Sequence, residues 1–260
     1  MLTQQQLQRI ALRHGIGLQA QERDYIQHLF LSVLCSRSQG LLFKGGTALR
    51  VLHHSPRYSE DLDFNTTRDL ADTKALFRQA IADLAHFGVT AVARNEWESD
   101  AGYSFDLSYE GPLYDGRDRS KGFVVSAQPN GKVRVDTNLR PEKVAVERRL
   151  VSSEYDDVVP FLLTALTVEH IFAEKVRALL TRGKARDLYD LWFLTEQGLS
   201  GDVALINAKL TLYETAFECK RFQQQVEALK DSWHRDLRPL LAQVPGFTMV
   251  QERVLHALAR

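Results

Sequence analysis

Apolar residues recur at helical spacing from about Thr3 to Ser38, at Leu7, Ile10 and Leu12 and again at Tyr25, Ile26, Leu29, Phe30 and Val33. The chain is therefore expected to open in helices. A short apolar run, Leu41 to Phe43, predicts a strand that leads into Gly45-Gly46-Thr47 and the helical stretch Ala-Leu-Arg-Val-Leu. Leu62 to Asn65 reads as a second short strand, and Asp69 to His86 as an amphipathic helix. From Val89 to Val159 the pattern turns to alternation, in segments 103–109 (Tyr-Ser-Phe-Asp-Leu-Ser-Tyr), 122–126 (Gly-Phe-Val-Val-Ser) and 132–137 (Lys-Val-Arg-Val-Asp-Thr), joined by Gly and Pro turns. From Thr167 onward the spacing is helical again, punctuated near Gly183, Gly198, Gly201 and Pro245-Gly246. This order predicts an α+β fold rather than a doubly wound sheet. N-terminal helices and a mixed core would occupy residues 1–160, and a helical domain residues 161–260.

Composition narrows the classes without naming one. The 260 residues carry 33 basic and 33 acidic side chains, with 44% hydrophobic and 25% charged, which excludes a disordered, collagen-like or coiled-coil chain. A formal net charge of zero argues against non-specific coating of nucleic acid or membrane, but leaves room for a local basic groove. The two cysteines, Cys35 and Cys219, form no CxxC or zinc spacing and read as small core residues of a reducing cytoplasm. The first residues lack the pattern of a signal peptide, and no apolar run approaches the roughly 20 residues that span a bilayer. A cytoplasmic protein with no membrane partner is expected. HExxH and GxSxG are absent, which leaves zinc proteases and serine hydrolases without support. His53-His54 reads as a helix end, and Trp97, Trp192 and Trp233 as core residues.

Four places carry candidate chemistry. Gly45-Gly46-Thr47 stands between a strand and a helix, where backbone N–H groups at the positive end of the helix dipole suit phosphate; alone, it could be a plain turn. Asp61 and Asp63, two apart on a strand, project to one side, while Leu62 and Phe64 face the core. Adjacent carboxylates repel unless a cation lies between them, and hard oxygen ligands suit Mg²⁺ completed by phosphate oxygens. Asp136 would lie with Arg134 on one side of a strand and Val133 and Val135 on the other. It is either an exposed strand acid or the third carboxylate of a two-metal site. Lys175 sits in the apolar stripe of helix 167–181, flanked by Ile171, Phe172, Ala178 and Leu179. It either snorkels along the helix edge or reaches nucleotide phosphates. Asp187 and Asp190 share a face with Leu191 and Leu194 past a break at Gly183, so they point at least partly inward. From Glu174 to Arg186 there are five basic residues and one acid, either a solvated corner or a basic rim for triphosphate or RNA.

Four blocks, 43–49 (Phe-Lys-Gly-Gly-Thr-Ala-Leu), 57–64 (Arg-Tyr-Ser-Glu-Asp-Leu-Asp-Phe), 174–180 (Glu-Lys-Val-Arg-Ala-Leu-Leu) and 182–191 (Arg-Gly-Lys-Ala-Arg-Asp-Leu-Tyr-Asp-Leu), occur in the order found in the AbiEii/MenT-type toxins. The chain resembles that branch of the DNA polymerase β-like nucleotidyltransferase superfamily from Leu41 to Leu194, about 60% of its length. The resemblance implies a metal-dependent nucleotidyltransferase, the toxin of a toxin–antitoxin or phage-defence pair, with a helical C-terminal domain and an antitoxin encoded nearby. Gly45, Gly46 and Thr47 would hold nucleotide phosphates, with Thr47 standing where serine is more usual. Asp61 and Asp63 would bind Mg²⁺ or Mn²⁺, with Asp136 as the third carboxylate. Lys175 matches the motif lysine and is implied to contact the nucleotide. Asp187 matches the aspartate of the RDxxD motif, with Arg186 before it; Lys175 and Asp187 are implied to be catalytic with Asp61 and Asp63, and Asp190, which closes the motif, to be structural. Arg57 and Ser59 would shape the loop ahead of Asp61. Some such toxins add nucleotides to the 3′ end of tRNA and so stop translation, which makes an NTP the donor and tRNA the expected acceptor. The alternatives are transfer to a protein or small molecule, and a non-catalytic nucleotide- or partner-binding module.

Overall fold

The computed structural model describes the whole chain except residues 38–39, 115–116, 119–122, 125–130, 140, 142, 212 and 259–260. Its residues form two compact units, one of Met1–His54 with Tyr58–Ala165, the other of Ser55–Arg57 with Leu166–Arg260.

The first unit opens with α1 (Gln4–His14) and α2 (Leu18–Arg37). Thr3 caps α1 in a capping box with Gln6, and Gly15, in the left-handed region, ends it. Then come β1 (Leu41–Lys44), α3 (Gly45–His53), β2 (Asp61–Thr66) and α4 (Leu70–Asp83), the last extended by a 3₁₀ turn, Leu84–Phe87. Strands β3 (Thr90–Glu98), β4 (Gly102–Glu110), β5 (Arg117–Asp118), β6 (Phe123–Val124), β7 (Gly131–Asn138), β8 (Val146–Val151) and β9 (Phe161–Leu166) follow. Of the expected strand 122–126, Phe123–Val124 are β6 and the rest lies outside the described residues.

Among the described residues, seven strands make one sheet in the order β3-β4-β7-β2-β1-β9-β8. It is mixed: β2 runs parallel to β7 and β1 to β9, while β1/β2, β3/β4 and β4/β7 are antiparallel. Parallel pairing needs long crossovers, and the one from β2 to β7 runs through α4 and strands β3 to β6. One face buries Phe43, Leu62, Phe64, Tyr103, Phe105, Val133 and Val135 with Phe30 of α2 and Phe77 of α4. Burying these rings fixes β2 in register, because a slip of one residue would turn Leu62 and Phe64 to the other face.

The alternating segments 103–109 and 132–137 are strands as expected, but segment 161–166 has no period to read. Its run Phe-Leu-Leu-Thr-Ala-Leu becomes a strand because pairing beside β1 buries Phe161, Leu163, Ala165 and Leu166.

The second unit is helical: α5 (Val168–Arg182), α6 (Ala185–Glu196), α7 (Val203–Thr211), α8 (Cys219–Glu227), α9 (Trp233–Leu237) and α10 (Phe247–Leu258). Gly183, with φ of 56°, is the left-handed cap that breaks α5 from α6. Trp233 is the buried centre, its indole N–H donating to the Pro245 carbonyl. Helices around a mixed sheet, followed by a helical unit, make the fold α+β. Trp97, by contrast, is 57% exposed on strand β3, Cys219 is exposed at the start of α8, and Cys35 is only half-buried. Residue type alone does not place a side chain inside. Trp97 lies on an edge strand at a register shift, which turns it away from the core.

Candidate active site

Helix α3 begins at the glycines themselves. Lys44 is its N-cap and makes no side-chain capping bond, so the first turn is Gly45-Gly46-Thr47. Gly45 has φ of +80°, and a Cβ there would lie 2.2 Å from Asp63 Oδ2. The turn and the second carboxylate thus meet at a spot only glycine can occupy. Thr47 is buried, and its hydroxyl donates to the backbone carbonyl of Asp61. What Thr47 presents at the helix start is its backbone N–H rather than its hydroxyl proton. The hydroxyl instead ties α3 to the first residue of β2.

Asp61 and Asp63 are half-buried on one side of β2, and Leu62 and Phe64 are buried on the other. Register places them in two cross-strand rows. Lys44, Asp63, Asp136 and Ser104 lie side by side across β1, β2, β7 and β4; Asp61, Arg134 and Asp106 lie across β2, β7 and β4. Neighbouring strands are about 4.8 Å apart, so Asp63 and Asp136 are adjacent positions on one face. Asp136 nevertheless directs its carboxylate to Arg134, whose Nε donates to Oδ1 at 3.2 Å. Among the described residues, no three His, Cys, Asp or Glu side chains converge on one point. The pair Asp61 and Asp63 still fits a small hard cation, because Mg²⁺ is commonly held by one or two carboxylates plus phosphate oxygens and water. Ser59, just upstream, is buried, and its carbonyl accepts from Gln27 Nε2 at 3.2 Å.

Two residues of this face carry no motif beyond their neighbours. Lys44 immediately precedes the glycines and pairs in register with Asp63. Arg134 stands two residues before Asp136, and the strand period already sets the two on one side.

The helical unit holds the other candidates in one chain of alternating charge, buried except at its Arg182 end. Arg57 donates from Nε and Nη2 to Asp190 at 2.7 and 2.8 Å. Lys175 Nζ lies 2.7 Å from Asp190 Oδ2 and 3.3 Å from Asp187 Oδ1. Arg182 donates to Asp187 at 2.9 and 2.7 Å. Asp187 and Asp190 are fully buried, and Arg57 and Lys175 nearly so. Burial alone raises the Asp187 carboxyl pKa, but Lys175 and Arg182 outweigh it and bring it down to about 2. Asp190 is likewise lowered, with burial overcome by Arg57 and Lys175. The partner that the apolar setting of Lys175 demands is thus a pair of aspartates. Of the five basic residues between Glu174 and Arg186, Lys175 and Arg182 pair with these acids, and Arg177 stacks on and donates to Tyr213. Lys184 caps α6 without a side-chain bond, and Arg186 is half-buried in its first turn.

A mixed sheet carrying DxD beside a helix that opens on two glycines defines a nucleotidyltransferase-type protein. The family model described as nucleotidyl transferase AbiEii toxin, type IV toxin–antitoxin system, matches residues 31–259, and the chain belongs to that family. Its fold is similar to that of MenT4, a nucleotidyltransferase toxin from Mycobacterium tuberculosis H37Rv, with a TM-score of 0.70 and 19% identity over 100% of this chain and 89% of that one. JHP933 from Helicobacter pylori is similar at a TM-score of 0.56 and 18% identity, over 93% and 91% of the two chains. No curated protein matches in sequence. Membership implies an NTP substrate and an antitoxin partner. Among the described residues, no helix is long and apolar enough to cross a membrane.

Proposed function

We propose that this toxin transfers a nucleoside monophosphate from an NTP to the 3′ end of tRNA in the cytoplasm, in a Mg²⁺- or Mn²⁺-dependent reaction that blocks translation. The observation that carries the transfer reading is the meeting of the Gly45 turn with Asp63, which brings a phosphate-type helix start and a carboxylate pair to one spot. The acceptor rests on the resemblance to toxins that modify tRNA.

In this reading the backbone N–H groups of Gly45, Gly46 and Thr47 orient the triphosphate. Asp61 and Asp63 would hold the divalent ion. Bound there, the ion neutralises charge on the phosphates and lowers the pKa of the attacking hydroxyl. The acceptor 3′-oxygen bonds to the α-phosphorus, the bond from that phosphorus to the bridging oxygen breaks, pyrophosphate leaves, and the hydroxyl proton passes to solvent. Lys175 neutralises two buried aspartates, so its contribution is to hold α5 and α6 in place. Arg57, Asp187 and Asp190 serve the same arrangement.

Incubating the protein with each α-labelled NTP, total tRNA and Mg²⁺ tests the proposal. Label should enter RNA with wild type and not with Asp63→Ala. Label that enters protein or a small molecule instead, in cell extract, would replace tRNA as acceptor. Growth arrest by a folded Asp61→Ala protein would remove catalysis altogether.

A further inference from the structure

The face that carries Asp61 and Asp63 also carries a fixed cation. Arg134 lies opposite Asp61 in register on β7 and opposite Asp106 on β4. Its guanidinium is held from the β4 side: Nη1 donates to Asp106 Oδ1 at 3.4 Å, and Nη2 donates to Ser104 Oγ. Asp106 is itself anchored, 7% exposed, accepting from Asn95 Nδ2 at 2.8 Å and facing Lys132 Nζ at 3.7 Å. Arg134 therefore keeps its place without help from Asp136. Asp136 is the loose member: its side chain is 47% exposed, and among the described residues the bond that engages it is the single one from Arg134 Nε at 3.2 Å. In register, however, Asp136 is the neighbour of Asp63.

We propose that Arg134 is a positioning residue that holds Asp136 away from Asp61 and Asp63, so that a divalent cation must compete with this guanidinium to recruit the third carboxylate. The inference rests on the metal-dependent reading given above. A bond to an exposed carboxylate is weak enough to exchange, while the anchored guanidinium stays put. Metal recruitment then becomes a choice of partner by one side chain. The first ion would be held by Asp61 and Asp63 whatever Asp136 does, and Arg134 sets how readily Asp136 adds to them.

Mn²⁺ binding to the full-length protein, followed by loss of the free-ion EPR signal without any nucleotide, tests this in a four-protein cycle. The proteins are wild type, Arg134→Gln, Asp136→Asn and the double variant, with folding checked by circular dichroism. Removing a cation from this face tightens Mn²⁺ by general electrostatics in any case. The informative quantity is thus how far the effect depends on Asp136. Arg134→Gln should tighten binding about three- to tenfold more when Asp136 is present than in the Asp136→Asn background, a coupling of the size expected for groups in contact. Arg134→Lys, which retains the charge but not the fork, should fall between wild type and Arg134→Gln, and serves if the glutamine variant fails to fold. Equal effects of Arg134→Gln with and without the Asp136 carboxylate would overturn the proposal while leaving metal binding intact. If wild type binds no Mn²⁺ in a manner lost in Asp61→Asn, both the metal reading and this inference fail.

Discussion

A side chain on residue 45 would collide with the carboxylate of residue 63. The Cβ position at Gly45 is 2.2 Å from Asp63 Oδ2, and its φ of +80° strains any L residue. The two glycines are therefore more than a turn: the first is cut away so that Asp63 can lie against the start of α3. Gly45→Ala should lower nucleotide transfer by about a hundredfold, because a displacement of an ångström in a reacting constellation has that scale. Gly246→Ala, where a Cβ meets nothing within 4 Å, should leave transfer unchanged. Label incorporation under identical conditions separates the two.

Thr47 links the same elements through its hydroxyl, which donates to the Asp61 carbonyl. Thr47→Ser retains the donor and should retain transfer, at the cost of a buried methyl, about 1 kcal/mol. Thr47→Val preserves shape but removes the donor, and should destabilise the protein by about 1 kcal/mol, read from denaturant unfolding. A valine variant as stable as wild type would show that the hydroxyl is not what ties α3 to β2.

In the helical unit, Arg57 and Asp190 form a two-point pair with almost no exposure on either side. Arg57→Met leaves a buried carboxylate with one cation where it had two, and should destabilise by about 3–5 kcal/mol. Arg182 is 47% exposed at its side chain, and Asp187 retains Lys175 when it is removed. Arg182→Met should therefore lie within about 1 kcal/mol of wild type. Urea titration followed by far-ultraviolet circular dichroism gives both values, and a reversed order would contradict the buried-chain picture.

Acid should weaken the same unit in a defined window. The Asp187 carboxyl sits near about 2 when folded against an ordinary value of 3.8, because Lys175 and Arg182 favour its charged form more than burial opposes it. A lowered folded pKa means the unfolded chain takes up the proton first on acidification. The stability from Asp187 is therefore fully present above about pH 4 and lost as pH falls toward 2, about 2 kcal/mol in all. Asp190, shifted in the same direction, adds to the loss. Unfolding titrations between pH 5 and pH 2 should show the decline in wild type. Asp187→Asn should flatten it, and an unchanged slope would mean that other carboxylates dominate.

Much of the local structure was readable from spacing alone. Alternation put Asp61 and Asp63 on one side and Leu62 and Phe64 on the other, and did the same for Arg134 and Asp136 against Val133 and Val135. Gly183 marked the break between α5 and α6, and the helical period set Lys175 in the apolar stripe of α5, where the sequence offered snorkelling or a reach to phosphates and not the two aspartates it meets. Segment 161–166 was not readable, since an apolar run without a period is a strand only if a neighbour pairs with it. The exposure of Trp97 and Cys219 was hidden for a similar reason: residue type states a preference for burial, and the register shift in β3 and the start of α8 set it aside.

The sequence by itself determined which side chains share a face and where α5 breaks from α6, because those follow from periods of two and 3.6 residues and from glycine's freedom at positive φ. Only the tertiary structure decided which faces meet. That Lys44, Asp63, Asp136 and Ser104 form one row depends on the strand order β1-β2-β7-β4, and on a register held by burial of Phe64 and its neighbours. That Asp136 turns to Arg134, and Lys175 to two aspartates, was likewise decided there. A charge takes whatever opposite charge the packed core leaves within reach, and reach is a distance in space rather than along the chain.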